Sequence, residues 1–456
     1  MKGTIEKPGR PISVRKQLVY ALSEFASNPI YTITLSFLTF FYTDVLGISA
    51  GVVGIVILSS RIFDGISDIW AGNVIDHTHV KSGSARPWLL WTALPMAFSY
   101  LLLFTVPQCN EIGRIVYIFV SYNFSMTLVY TFFNSSLNAL PIYMTNDTKS
   151  RSSAYAIRLI VAGLIQAILS YLYMNVVDSM GGDQSAWIKF AAILGTISFI
   201  FCLITYAGTT EQVSPIRKQN TEVRFCDVLK SILHNKYWLI VLGIILILVL
   251  HQISTLTVGV YYAKYILHNE KLTGNLVLYH HMGGGIGMLV MPFLLQKGIS
   301  KRNATLVGGF IMLAGSLISL ICCDGMPLIV SLALRGCGFG VVNSTYYGML
   351  ADTVDYNEWK TGIRNPAVTT CAGTFAQKLG SGLGTAAFGL ALSAVGYNGV
   401  AASQPAEAIS CIRFMFLALP IVLYILLIIF TFMYTLDKDY PAIIKDLERR
   451  RSISRD

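Results

Sequence analysis

Stretches of apolar residues long enough to cross a lipid bilayer recur along the whole of this 456-residue chain, separated by short polar breaks. No other feature limits the fold so strongly. About 20 apolar residues in a helix span the hydrocarbon core. Within that core each backbone amide and carbonyl must find its partner inside the protein, which leaves helices or closed barrels. The composition agrees: 54% of the residues are hydrophobic and 13% charged, against about 25% charged in ordinary soluble domains. The pattern predicts an all-α membrane protein of twelve transmembrane helices, over 18–42, 51–75, 88–107, 114–141, 153–177 and 186–207, then 237–265, 275–296, 304–322, 328–350, 367–395 and 409–435.

Six spans on either side of a polar segment suggest an internal duplication. The chain then divides into an N-terminal six-helix half (1–207), a cytoplasmic linker (208–236) and a C-terminal six-helix half with a cytoplasmic tail (237–456). Such a plan puts a substrate site near the bilayer midplane.

A net charge of +10 invites a nucleic-acid reading, but the positions of the charges oppose it. Lys2, Lys7, Arg10, Arg15 and Lys16 precede the first span, and Lys445, Arg449, Arg450, Arg451 and Arg455 follow the last. The linker holds Arg217, Lys218, Arg224, Lys230 and Lys236, whereas Asp178–Ser185 and Gly396–Glu407 are poor in Lys and Arg. Positive loops face the cytoplasm, so both termini are expected there, in an inner cell membrane. No cleavable signal is expected at the first stretch. The eight cysteines form no CxxC pair and read as small buried residues. His77 and His79 read as surface residues, and none of the seven histidines is expected in mid-span. No nucleophile–base pair or metal cluster is evident, so neither an enzyme nor a resident cofactor is expected. The glycines at 283, 284, 285 and 287 read as a close helix-packing surface.

Ionisable residues inside the spans carry the functional signal, because each costs a few kcal/mol at the bilayer centre unless it has a partner or a watery cavity. In Arg61-Ile-Phe-Asp64-Gly-Ile-Ser-Asp68 the charges stand at i, i+3 and i+7, on one helix face. Asp64 and Asp68 are the candidate cation site, able to share Na⁺ or to hold a proton, since neighbouring carboxylates raise one another's affinity for it. Arg158, Arg335 and Lys378 lie in later spans. Arg158 and Lys378 read as groups that engage sugar hydroxyls or pair with the carboxylates, and Arg335 has no second argument for a site role. A second set of charges stands at the expected cytoplasmic ends: Asp76 and Arg86 after the second span, and Asp352, Asp355, Glu358 and Arg364 after the tenth. These read as a cytoplasmic gate of opposite charges.

The stretch from Arg61 to Asp68, followed by Gly72, Asp76, Gly83, Arg86 and Pro87, resembles the signature of the glycoside–pentoside–hexuronide:cation symporters, to which melibiose permease belongs. Tyr42-Thr43-Asp44-Val45, Ala351-Asp352-Thr353-Val354-Asp355-Tyr356 and Phe375-Ala376-Gln377-Lys378-Leu379-Gly380 fit the same pattern in the same order. The resemblance implies a major facilitator fold and secondary active symport of a sugar glycoside, such as a uronide or pentoside, with H⁺ or Na⁺. It places Asp64 and Asp68 in the cation site and Arg158 and Lys378 in the sugar site. It puts Asn28 at a sugar-contacting position, Asn134 where melibiose permease has a third carboxylate, and Asn138 and Asn343 where it has tryptophans. With carboxylates replaced by amides, the expected cavity is more positive, which leans toward proton coupling and toward tolerance of an anionic sugar. Tyr31, Tyr130, Tyr346 and Tyr347 are the candidates to replace the lost stacking platforms. The expected partners are the sugar, the coupling cation and the bilayer, for a monomeric protein. A transporter-derived membrane sugar sensor, without net transport, is the alternative.

Overall fold

The computed structural model describes residues 11–78, 80–145, 147–211, 233–362, 366–401 and 403–453. Every extended element among them is a helix, so an all-α multi-span membrane fold is established. The chain clusters into two compact units: unit 1 is Met1–Lys218 with Thr385–Pro405, and unit 2 is Gln219–Gly384 with Ala406–Asp456.

In unit 1 the helices run α1 (Val14–Ala21), α2 (Glu24–Ser36), α3 (Ala50–Asp76), α4 (Arg86–Trp91), α5 (Ala93–Phe104), α6 (Glu111–Tyr122), α7 (Thr131–Met144), α8 (Thr148–Ser179) and α9 (Gln184–Gly208). A π-helical stretch, Asn123–Tyr130, joins α6 to α7. Polar residues set the starts. Asn110 accepts from the Gly113 amide at 3.0 Å, Asp147 from Ser150 at 2.9 Å and Asp183 from Ala186 at 2.9 Å. Each satisfies an amide that the first helical turn leaves open.

In unit 2 follow α10 (Lys236–Gln252), α11 (Val258–Tyr265), α12 (Leu272–Gln296), α13 (Lys301–Ile321), α14 (Gly325–Thr361), α15 (Pro366–Ala394, whose last turns belong to unit 1), α16 (Ala406–Arg413), α17 (Leu419–Met433) and α18 (Leu436–Ile453). Further π stretches join α10 to α11 (Ile253–Thr257) and α16 to α17 (Phe414–Ala418). The packing of α12 on α14 depends on small residues. A methyl group on Gly283 would strike the Ala333 carbonyl, and one on Gly336 the His280 carbonyl. Close approach of backbones at glycine is a common way for helices to associate in lipid.

The twelve-span, two-by-six arrangement is not what the structure contains. Among the described residues eight helices are long and apolar enough to cross a membrane: Ala50–Ile75, Glu111–Met144, Ser150–Ser179, Gln184–Gly208, Lys236–Tyr265, Lys301–Ile321, Gly325–Thr361 and Ala406–Arg450. Apolar length alone hides the breaks. The stretch 18–42 is divided at Leu22–Ser23 and at Phe37. The stretch 88–107 is interrupted at Thr92, leaving Ala93–Phe104 as a shorter apolar helix. Helices α12 and α15 include residues whose side chains are not described, and neither is among the eight.

Candidate functional site

A polar cluster of unit 1 forms around Arg158. The α8 register turns its guanidinium toward α1, α2 and α7. Its Nε donates to Glu24 Oε1 in a short ion pair. Its Nη1 donates to Asn138 Oδ1 at 2.6 Å and to the Tyr20 hydroxyl at 3.2 Å, and its Nη2 donates to Asn134 Oδ1 at 3.2 Å. The other carboxylate oxygen of Glu24 accepts from Asn28 Nδ2 at 3.2 Å and from Ser27 at 3.3 Å. Asn28 also donates to the Ala162 carbonyl at 3.1 Å and accepts from Thr32 at 3.0 Å. Glu24 is 5% exposed and Asn28 9%, so water screens this pair little. Four of the expected sugar-site residues, Asn28, Asn134, Asn138 and Arg158, thus share one hydrogen-bonded cluster.

Glu24 is the member that sequence reading missed. It lies inside the apolar stretch 18–42, one turn before Asn28, a spacing that puts the two on one helix face. Its carboxylate offsets Arg158, so the cluster is not the positive cavity that replacement of acids by amides suggested. Beside it, Tyr31 and Tyr130 lie nearly parallel, with ring centroids 6.2 Å apart at 18°.

On α3, Arg61 Nη1 donates to Asp64 Oδ2 at 3.0 Å, and both residues are buried, at 7% and 2% exposure. Arg61 also lies 5.9 Å from the Tyr122 ring centroid. Asp68, one turn on, is half-buried. Asp64 is therefore already paired with a cation of its own helix.

In unit 2, Asn343 lines a small cleft of about 20 Å³ together with Gln252, Phe339, Tyr346 and Gln377. Lys378, next to Gln377 on α15, is half-buried. Tyr346 is buried and stacks on the exposed Tyr347, with centroids 4.1 Å apart.

Arg86, Asp352 and Asp355, three of the expected gate residues, have partners within their own units. Arg86 Nε donates to the Tyr206 carbonyl at 2.8 Å, and its guanidinium covers the Tyr206 ring at 4.2 Å. The backbone amides of Ser84, Ala85 and Arg86 all donate to the Glu211 carboxylate, at 2.8, 2.9 and 2.6 Å. In unit 2 both oxygens of Asp352 accept from Lys301 at 2.7 Å, and Asp355 accepts from Tyr440 at 2.8 Å. Trp359 donates to Asp446 at 2.9 Å, so α18 is pinned to the end of α14. Glu358 is half-buried on the same helix. The Asp76 side chain and Arg364 lie outside the described residues.

The expectation that no histidine lies in mid-span fails. His251 and His280 are buried, at 0% and 1% exposure, on α10 and α12.

The chain matches the profile of the family described as MFS/sugar transport protein over residues 19–438. It is 32% identical to the isoprimeverose transporter of Lactiplantibacillus pentosus over 440 residues, covering 95% of this chain and 91% of that protein. It is 28% identical to the glucuronide carrier protein homolog of Escherichia coli K12 over 456 residues, covering 97% of each. Among solved structures it resembles the nucleoside transporter NupG, with a TM-score of 0.63 at 13% identity over 91% of this chain and 99% of that one. A structure from work on proton dependent oligopeptide transporters gives a TM-score of 0.66 at 13% identity, over 94% and 99%. These likenesses bear on the fold.

Proposed function

Because the chain belongs to the MFS/sugar transport protein family, and is therefore a secondary active membrane transporter and not an enzyme, we propose that it imports a neutral glycoside, pentosides foremost, together with a proton. The Glu24–Arg158 pair carries this reading. A uronide carboxylate would have to displace Glu24 from Arg158, whereas sugar hydroxyls can join the amides of Asn28, Asn134 and Asn138 by hydrogen bonds. Tyr31 and Tyr130 offer flat apolar faces nearby. Asn343 and Lys378 are assigned to the same substrate. The isoprimeverose transporter among the relatives supports the choice of glycoside, and the signature from Arg61 to Asp68 supports membership of the glycoside–pentoside–hexuronide:cation symporters.

Asp64 and Asp68 are assigned the coupling cation. A proton needs one carboxylate oxygen, while Na⁺ needs a shell of several, and Arg61 already claims one of those at Asp64. Cation binding releases Arg61, and occupancy by both ligands favours the exchange between outward and inward access. Each ligand must improve the binding of the other by the same factor. Asp76, Arg86, Asp352, Asp355, Glu358 and Arg364 are assigned to a cytoplasmic gate. The parts that rock are taken as 1–207 and 237–456, joined by 208–236, in a monomer in the inner membrane with both termini in the cytoplasm.

The test is uptake into membrane vesicles of a panel of pentosides, galactosides and uronides, including isoprimeverose, with a proton gradient and with Na⁺. Accumulation of a neutral pentoside driven by the proton gradient and indifferent to Na⁺ is expected. Preference for a uronide, or strict Na⁺ dependence, defeats the corresponding half of the proposal. Counterflow of labelled sugar separates a transporter from a sensor, which binds but does not exchange.

A further inference from the structure

Unit 2 buries a polar network that the transport scheme above does not use. Arg335 on α14 is 0% exposed, and within 4 Å it meets no carboxylate among the described residues. Its Nη2 donates to Thr255 at 2.9 Å, its Nη1 to the Phe416 carbonyl at 3.3 Å and its Nε to the Tyr424 hydroxyl at 3.3 Å. Thr255 and Phe416 stand in the two π stretches flanking α11 and α17, where the widened turn disturbs the regular backbone ladder. The Tyr424 hydroxyl lies 2.5 Å from His251 Nδ1, and His251 Nε2 lies 2.9 Å from His280 Nε2.

One donor is fixed at the outset: a guanidinium donates and never accepts. Tyr424 takes a hydrogen bond from Arg335, and donation of its own proton to His251 Nδ1, where the Thr255 hydroxyl also lies at 3.5 Å, makes the network run in one direction. His251 then carries its proton on Nε2 and donates to His280 Nε2. His280 then carries its proton on Nδ1, a nitrogen that is buried with no hydrogen-bond partner among the described residues. In that order Arg335, Tyr424, His251 and His280 give each imidazole one tautomer and join α14, α17, α10 and α12.

The two imidazoles press on one residue. The Phe339 ring lies 5.1 Å from His251 and 5.7 Å from His280 by centroids. Its surroundings also include the cleft with Gln252, the neighbour of His251, and Asn343, one turn beyond Phe339. We propose that Arg335, Tyr424, His251 and His280 are positioning residues, a directed hydrogen-bond relay that holds Phe339 and the Gln252 amide in place for the hydroxyls of the transported sugar. This rests on the glycoside reading above. Among the described residues the titratable and charged groups facing the histidine pair are Arg335, Tyr424 and His281. With no acid among them the pair works uncharged, as a fixture and not as a carrier of the coupling proton.

The experiment compares Tyr424→Phe, His280→Leu and His280→Gln in vesicle uptake. The first two should raise the apparent KM for the sugar by about tenfold, the loss of about one buried hydrogen bond, with membrane level and maximal rate within about twofold. His280→Gln keeps an acceptor for His251 and should restore KM. The pH profile of uptake should be the same in all. An unchanged KM in the first two, or equal loss for Leu and Gln, overturns the relay. A shifted pH profile in His280→Gln also overturns it, by making the pair a proton carrier. Independently of any substrate, ¹⁵N shifts of labelled histidines in the unaltered protein should show His251 as Nε2–H and His280 as Nδ1–H; the opposite tautomers reject the relay. Should the unaltered protein carry no glycoside, the functional proposal fails and the ¹⁵N result still decides the relay.

Discussion

Glu24 and Arg158 stand 134 positions apart in the chain and meet as a buried ion pair between α2 and α8. Around that pair the amides of Asn28, Asn134 and Asn138 and the hydroxyl of Tyr20 close a single polar cluster. Burial makes the pair matter in two ways. Each charge is expensive without the other, and the orientation of each fixes that of several neutral neighbours.

Glu24→Gln leaves the guanidinium buried without its counter-charge. Loss of one partner of such a pair typically costs about 3–5 kcal/mol, so thermal unfolding in detergent should move clearly downward. Adding Arg158→Gln should recover part of that loss. If the double variant is less stable than either single one, the two side chains do not act as a pair.

Asp64→Asn and Asp68→Asn should abolish uphill, cation-driven accumulation while leaving protein in the membrane. Exchange of labelled sugar down its gradient should persist in at least one of them, since that mode needs no net cation movement. Normal accumulation in both would remove the assigned cation site.

Lys301→Met leaves Asp352, itself 3% exposed, without the ammonium that both its oxygens accept from. A loss of about 1–3 kcal/mol is expected for such an unsatisfied buried group, read as a lower unfolding temperature. Asp352→Asn on the same background should restore most of it. No recovery would mean that the lysine stem, not its charge, is what the fold needs.

Gly336→Val places side-chain atoms where the His280 carbonyl stands. The helices α12 and α14 must part, at a cost of about 1–3 kcal/mol or more. Folded, fully active protein at the original unfolding temperature would contradict the packing described for these helices.

Much of the site was readable one residue at a time. Arg158 and Asn134 were identified by charge within an apolar span and by resemblance, and the structure brings them to one place. Glu24 was overlooked because hydropathy averages over a window, and one acid among apolar neighbours barely lowers the mean. His251 and His280 were overlooked for another reason. They are 29 positions apart on different helices, and nothing local announces that their rings meet. The span count failed at interruptions such as Thr92 and Phe37, where the chain stays apolar and only the backbone path changes. Composition records how greasy a segment is, not where its helix stops.

The Glu211 carboxylate gathers three successive amides from the turn before α4. One acidic side chain just beyond α9 thereby staples two distant portions of the chain together. Strain applied at residue 211 would be felt first at Ser84 and Arg86, so a length change or a cut immediately downstream is a handle on a loop more than a hundred residues away in sequence.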